Sequence, residues 1–386
     1  MKLFGRGRIP VAVIAALWAV SILFYGTIPY QENGYRHWDL SKYLQMAEAA
    51  PGIDTRVERP YGERLMGPWL AGVLHQVTRL PLDRSFRLLS LLAAALLLGL
   101  LYRFWRRCGL SGVTALLLVA FFVANRTQYG FQIWDYFQLN DWIGLLALVA
   151  GLWALHDGRW LHFTLAVLIG VLSREVTLIL LPVAAVFLHE RGTLRRQGKH
   201  LMLVSAAAVA ALILLRVAVP GAGAYETWRA PFWFHAKIFQ ARTWFGWLLN
   251  GFAPLTWLPL IFLSETRRFF ASSPHLLALV VLTYASTMFA SDTERLLAPC
   301  AVAFYLLIGR LLEGRGLRAE LRLAAVLLPL SMFTAVSHLL PLADRGRLSA
   351  PKLPLIVLPA VAAVGWAWQW KRQRKEARRQ TLRFRQ

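Results

Sequence analysis

Acidic residues and cysteines are scarce in this chain. Only 20 aspartates and glutamates stand against 43 lysines and arginines, and two cysteines occur in 386 residues. Cys108 sits at the end of one apolar run and Cys300 inside another, toward opposite faces, so they are not expected to pair and a disulfide framework is excluded. No Cys/His cluster has zinc spacing. A Walker loop and a dinucleotide fingerprint are also missing, which leaves this chain alone without the parts for ATP-driven transport. Length by itself would allow two or three soluble domains, yet no long polar stretch remains from which to build one.

Apolar runs fill the chain instead, from Ile9 to Trp370. About 20 apolar residues cross a bilayer core, and twelve spans are expected, at 9–30, 86–105, 111–124, 141–156, 160–173, 176–189, 201–220, 244–264, 274–290, 296–313, 321–341 and 353–370. The short ones are tenable when packed inside a bundle or paired around a break, as at Ser173-Arg174-Glu175. The first run lacks a small-residue cleavage site and reads as a retained anchor. An even count puts both termini on one side. That side carries the start (Lys2, Arg6, Arg8), Arg103, Arg106 and Arg107, the group Arg191 to Lys199, Arg267 and Arg268, and the basic tail 371–386, and so most of the net charge of +23. Positive charge marks the cytoplasmic face. The basic tail is read as a stop-transfer flank on anionic lipid, with no nucleic-acid partner. The expectation is an all-α, polytopic transmembrane bundle forming one domain over 1–386. It is a multi-pass protein, more readily of a bacterial inner membrane than of the endoplasmic reticulum, with both termini cytoplasmic.

The chemistry is expected on the opposite face, chiefly in the first outer loop, 31–65. Leu40, Tyr43, Leu44 and Ala47 follow amphipathic helical spacing, broken by Pro51-Gly52, which suggests a helix along the membrane with Trp38 and Tyr43 at headgroup depth. Asp39 borders its apolar face. Partial desolvation would make that carboxylate more basic, although an aspartate at a helix start also serves as an N-cap. Other charges stand out beside it. Glu63 and Arg64 precede an apolar run, 65–77, too short to span and read as re-entrant. Arg126 and Asp135 lie in the aromatic-rich segment NRTQYGFQIWDYFQLND. Arg174-Glu175 breaks one hydrophobic stretch, and Glu294-Arg295 precedes another. Charges at membrane depth are costly and tend to face a cavity or one another. Either they pair at helix ends, or they share an anionic ligand, for which the arginine fork suits phosphate.

Four motifs carry a family resemblance. Trp38-Asp39…Tyr43…Ala47, RPYGERLMGPWLAGVL, GVLSREVTLILLP and ERLLAPCAVAFYLL occur in order along residues 9–312. Together they resemble the GT-C superfamily of polyprenyl-phosphate-sugar-dependent membrane glycosyltransferases, especially the mannosyltransferases of GPI-anchor assembly. The resemblance implies inverting transfer from a polyprenyl-phosphate sugar to a glycan, lipid or protein acceptor, with Asp39 as general base. It also implies Arg174 and Arg295 at the donor phosphate, with Arg64 where the junction motif enters the membrane; on their outer positions in the sequence, Tyr43, Glu63, Arg126, Asp135, Glu175 and Glu294 are the candidate supporting residues. Asp39-Leu40-Ser41 replaces the paired acids of the family, which leaves a divalent cation open, and no other cofactor is implied. The second proline of the family's ERLLAP-type run is missing. With no polar domain after the last span, acceptor recognition falls to loops, chiefly 221–243. The competing readings are a transporter or lipid flippase, for which no internal repeat is found, and a non-catalytic assembly subunit.

Overall fold

The computed structural model describes residues 8–27, 40–57, 61–219, 234, 238–240, 251–252, 254–288, 295–314 and 317–336. Fifteen α-helices and no strands occur among them. In chain order these are α1 (Arg8–Tyr25), α2 (Leu40–Glu48), α3 (Met66–Thr78), α4 (Leu82–Arg107), α5 (Gly112–Val123), α6 (Phe131–Trp134), α7 (Leu139–His156) and α8 (Trp160–Ser173). They continue as α9 (Leu180–Glu190), α10 (Leu194–Ala218), α11 (Leu258–Ile261), α12 (Leu263–Ser272), α13 (Pro274–Thr287), α14 (Ala298–Glu313) and α15 (Leu317–Val336).

Among the described residues three helices are long and apolar enough to cross a membrane: α4, α7 and α10. A fourth span appears if α12 and α13, bent by 105° at Ser273, count as one. The twelve expected spans are therefore not confirmed, and the last of them, 353–370, lies outside the described residues. Several expected runs do form helices but stay short, as in α5, α8 and α9. The described part of the expected span 244–264 is not continuous. It breaks into a short turn at 255–257, then α11, with Phe262 leaving the helical region before α12 begins.

Burial separates centre from rim. In the apolar window of α7, 72% of residues are buried inside the fold, against 22% in α10. Helix α10 turns Met202, Leu203, Val209, Ile213, Leu214 and Val217 outward. An apolar face with no protein against it is what a bilayer would cover. Helix α7 packs on α4 and α8, while Gly144 and Gly151 let the segment from Arg174 to Leu180 close in. A Cβ at Gly151 would meet Leu180 at 2.7 Å.

Contacts sort the helix ends into two groups. At one end Arg107 of α4 bridges Asp157, just after α7, at 3.1 Å. There Glu190 of α9 pairs with His275 of α13 at 2.8 Å, and Glu313 of α14 accepts from Thr114 of α5 at 2.9 Å. Among the described residues, this end collects Arg103, Arg106 and Arg107, the group Arg191 to Lys199, and Arg267 and Arg268, which charge sorting placed on one face. At the other end lie the starts of α4, α7 and α9 and the ends of α5, α8 and α10.

The segment 40–57 differs from its expectation in one respect. A helix forms where the spacing predicts it, but its apolar face packs on α3 and not on lipid. Tyr43 is fully buried, as are Met46 and Ala47. The close crossing depends on Gly72, where a Cβ would overlap the backbone of Ala47. Tyr43 is thus a core residue, not a headgroup anchor. The run expected to be re-entrant forms α3, 13 residues long.

Candidate functional site

The end away from the arginine-rich groups holds most of the buried charge. Arg64 is set by the turn at 61–63, where its backbone N–H donates to the Tyr61 carbonyl at 2.9 Å. The Asn140 amide then pins the start of α3 from both sides. Its Nδ2 donates to the Arg64 carbonyl at 3.0 Å, and its Oδ1 accepts from Gly67 N–H at 2.8 Å. Gly67 is required there, because a Cβ would approach Asn140 Oδ1 to 2.8 Å.

The Arg64 guanidinium is buried but loosely held. It donates to the Tyr43 hydroxyl at 3.5 Å, lies 3.6 Å from Glu175 and sits 5.9 Å from the Tyr61 ring centre. Its Nε is buried and meets no hydrogen-bond partner. A buried donor left open carries a desolvation cost of about 1–3 kcal/mol, more when charged.

Arg174 is held differently. The break after α8 gives it extended backbone, with φ −153° and ψ 119°, and this swings its side chain inward against α7. Gly144 makes room: a Cβ there would meet Arg174 Cβ at 3.2 Å. Arg174 Nε then lies 2.5 Å from Asp141 Oδ1, and both side chains are only 7% exposed. Asp141 is also in electrostatic reach of Arg64, so the two arginines and Glu175 form one charge cluster. Glu63 pairs with Arg216, near the end of α10, at 3.2 Å.

Beside Arg174 is a small cavity lined by Gln132, Asp141, Thr177, Leu296 and Pro299 among others, with a volume of about 30 Å³. That holds about one water molecule and is too small for a sugar phosphate. Leu296 belongs to the turn 295–297, which brings the backbone of Arg295 to the same neighbourhood.

Of the expected site residues, Tyr43, Arg64 and Glu175 touch directly, Arg174 joins them through Asp141, and Glu63 flanks them. Arg126 and Asp135 lie on a separate buried polar segment. Arg126 begins the turn 126–130, capped by Asn125, and is within electrostatic reach of Tyr25. Asp135 is 4% exposed and accepts from Gln138 at 3.2 Å. Asp39, Trp38 and Glu294 fall outside the described residues, as does the loop 221–243 apart from residues 234 and 238–240, and only the backbone of Arg295 is described. Asp141 and Asn140 are the residues that the motifs did not single out. Their signal was present, since an acid at the start of an apolar run is costly unless paired. Among the described residues no group of three His, Cys, Asp or Glu side chains is placed to hold a metal.

No curated protein and no solved structure matches the chain. Residues 59–216, which carry Arg64, Asp141, Arg174, Glu175 and Arg216, match the family model of the dolichyl-phosphate-mannose-protein mannosyltransferases, a family of the GT-C superfamily.

Proposed function

We propose that this protein is a membrane glycosyltransferase that moves a sugar, mannose or a relative, from a polyprenyl-phosphate carrier to an acceptor hydroxyl with inversion. The observation that carries the reading is the charge cluster within the matched segment, in which the buried Arg174–Asp141 pair lies beside Arg64 and a half-covered Glu175. Arg64, with its open Nε and long contacts, is the better placed of the two arginines to take up a phosphate oxygen. Arg174 is already committed to Asp141 and orients the cluster. Leu40, the chain neighbour of Asp39, opens the helix whose Tyr43 meets Arg64. In this reading Asp39 accepts the acceptor's hydroxyl proton as the acceptor oxygen bonds to the anomeric carbon. The bond from that carbon to the phosphate oxygen breaks on the opposite side. The carrier leaves as polyprenyl phosphate, its charge stabilised by arginine. The reacting face is the outer one, opposite the arginine-rich end, and the acceptor is a glycan, lipid or protein. Incubating the purified protein with labelled polyprenyl-phosphate sugars tests this. Release of free carrier dependent on acceptor supports it, and no release from any donor contradicts it. A transporter would move the intact donor across vesicles without cleaving it.

A further inference from the structure

A second cavity lies at the arginine-rich end, away from the cluster just described. Its volume is about 590 Å³, and its lining includes Arg268, Arg310, His156, His275, Ser272 and Phe269. The floor is apolar, from Phe104, Leu276 and Leu306. That combination of an apolar floor with a few convergent polar groups, at this size, is typical of small-molecule sites.

Charge at the rim points to an anionic ligand. The wall behind it is committed to structure: His275 is 5% exposed, its Nδ1 is taken by Glu190 at 2.8 Å, and His156 packs with its ring centre 5.4 Å away. Two arginines add charge at the exposed rim. Arg310 is held in place by donating to the Cys108 carbonyl, while Arg268 extends from α12 one turn beyond Glu265. The lining carries one carboxylate, Glu265, already accepting from Ser264 at 2.6 Å, so cations outnumber anions there.

We infer that this cavity binds the phosphate of an anionic phospholipid from the surrounding leaflet, with the headgroup between Arg268 and Arg310 and the upper acyl chain over Phe269 and Leu276. A lipid is favoured over a free phosphate because the floor is apolar and the cavity opens among helices that the bilayer surrounds. Basic pockets between helices on the positively charged face of membrane proteins are suited to such headgroups. The inference is independent of the proposed chemistry at the opposite end.

The test uses full-length protein in nanodiscs of phosphatidylcholine, with or without phosphatidylglycerol, and counts lipids retained after extraction by native mass spectrometry. Phosphatidylglycerol should be retained in preference to phosphatidylcholine. Arg268→Ala and Arg310→Ala should each weaken retention about fivefold, whereas the paired surface change Arg195→Ala with Arg196→Ala should leave it unchanged. Ser272→Trp, which puts a bulky ring into the cavity lining without removing charge, should also abolish retention. Melting temperatures measured alongside show that each variant is folded. Equal loss from the Arg195/Arg196 variant would mean general surface attraction and would overturn the proposal. So would displacement by inorganic phosphate alone, which would indicate a free-anion site. Retention that survives Ser272→Trp would likewise place the lipid elsewhere.

Discussion

The two ends of the bundle handle charge in opposite ways. At the arginine-rich end the ion pair Arg107–Asp157 is 61% and 16% exposed, and much of the remaining positive charge extends into solvent. At the other end Arg174 and Asp141 are each 7% exposed, and Arg64 is 12% exposed against a Glu175 only partly covered. Exposed pairs are screened and contribute little. Buried ones carry a desolvation penalty that close geometry only partly offsets. A chain that retains several buried charges at one end therefore has a use for them there, while the exposed arginines act through their sum, as a sorting signal for topology. The contrast extends within the buried cluster, since Arg174 is gripped at 2.5 Å and Arg64 is held at 3.5 Å or more. A tight pair suits architecture, and a loose buried cation suits a ligand.

Breaking the tight pair should have the largest effect on folding. Arg174→Ala leaves Asp141 buried without its cation and should destabilise by about 3–5 kcal/mol, read as a fall in detergent melting temperature. The paired change Arg174→Met with Asp141→Leu should recover most of that stability without recovering transferase activity. Recovery of both would reduce the pair to a packing element. Arg64→Lys should act in the reverse sense. Folding should be nearly unchanged while donor affinity drops by roughly 1.5–3 kcal/mol, since a point charge cannot replace the fork. Titrating a labelled donor against the folded variant measures this, and unchanged affinity would remove Arg64 from the site.

The smallest effect should come from the exposed end. Arg107→Ala should cost about 0.2–1 kcal/mol. Burial raises the Asp157 pKa, but hydrogen bonds from Arg107 and Trp153 outweigh it and hold the group below its ordinary 3.8. A depressed carboxylate contributes stability that is complete above its unfolded value and is lost as pH falls through the folded one. The Arg107→Ala deficit should therefore be present at neutral pH and vanish under acid below that range. A deficit persisting in acid would point to lost packing of the arginine stem.

Much of this was legible in the chain, because apolar runs and the charges that interrupt them are local signals. The helix over 160–173 falls where its run predicts, and the break at Arg174 marks a real change of backbone direction. The two-end grouping of helix termini likewise follows the charge pattern. Other features depend on tertiary partners that no local pattern contains. Tyr43 has the spacing of a surface anchor, yet Gly72 lets α2 press onto α3 and bury it. Asp141 looked like the first residue of an apolar span until Arg174 folded in against it. The segment around α11 reads as one hydrophobic run, but Pro259 and Phe262 divide it. Among the site residues, Arg64 and Glu175 are 111 positions apart and meet only through folding, so the sequence could name both but not join them.

The most direct test of the account is turnover by Asp39→Asn with the donor that the wild-type protein accepts. The amide keeps the shape of the side chain but cannot accept the proton, so carrier release should fall on the order of 10²–10⁴-fold while donor binding and melting temperature stay near wild type. Turnover close to wild type would contradict the assignment and move the base to another carboxylate.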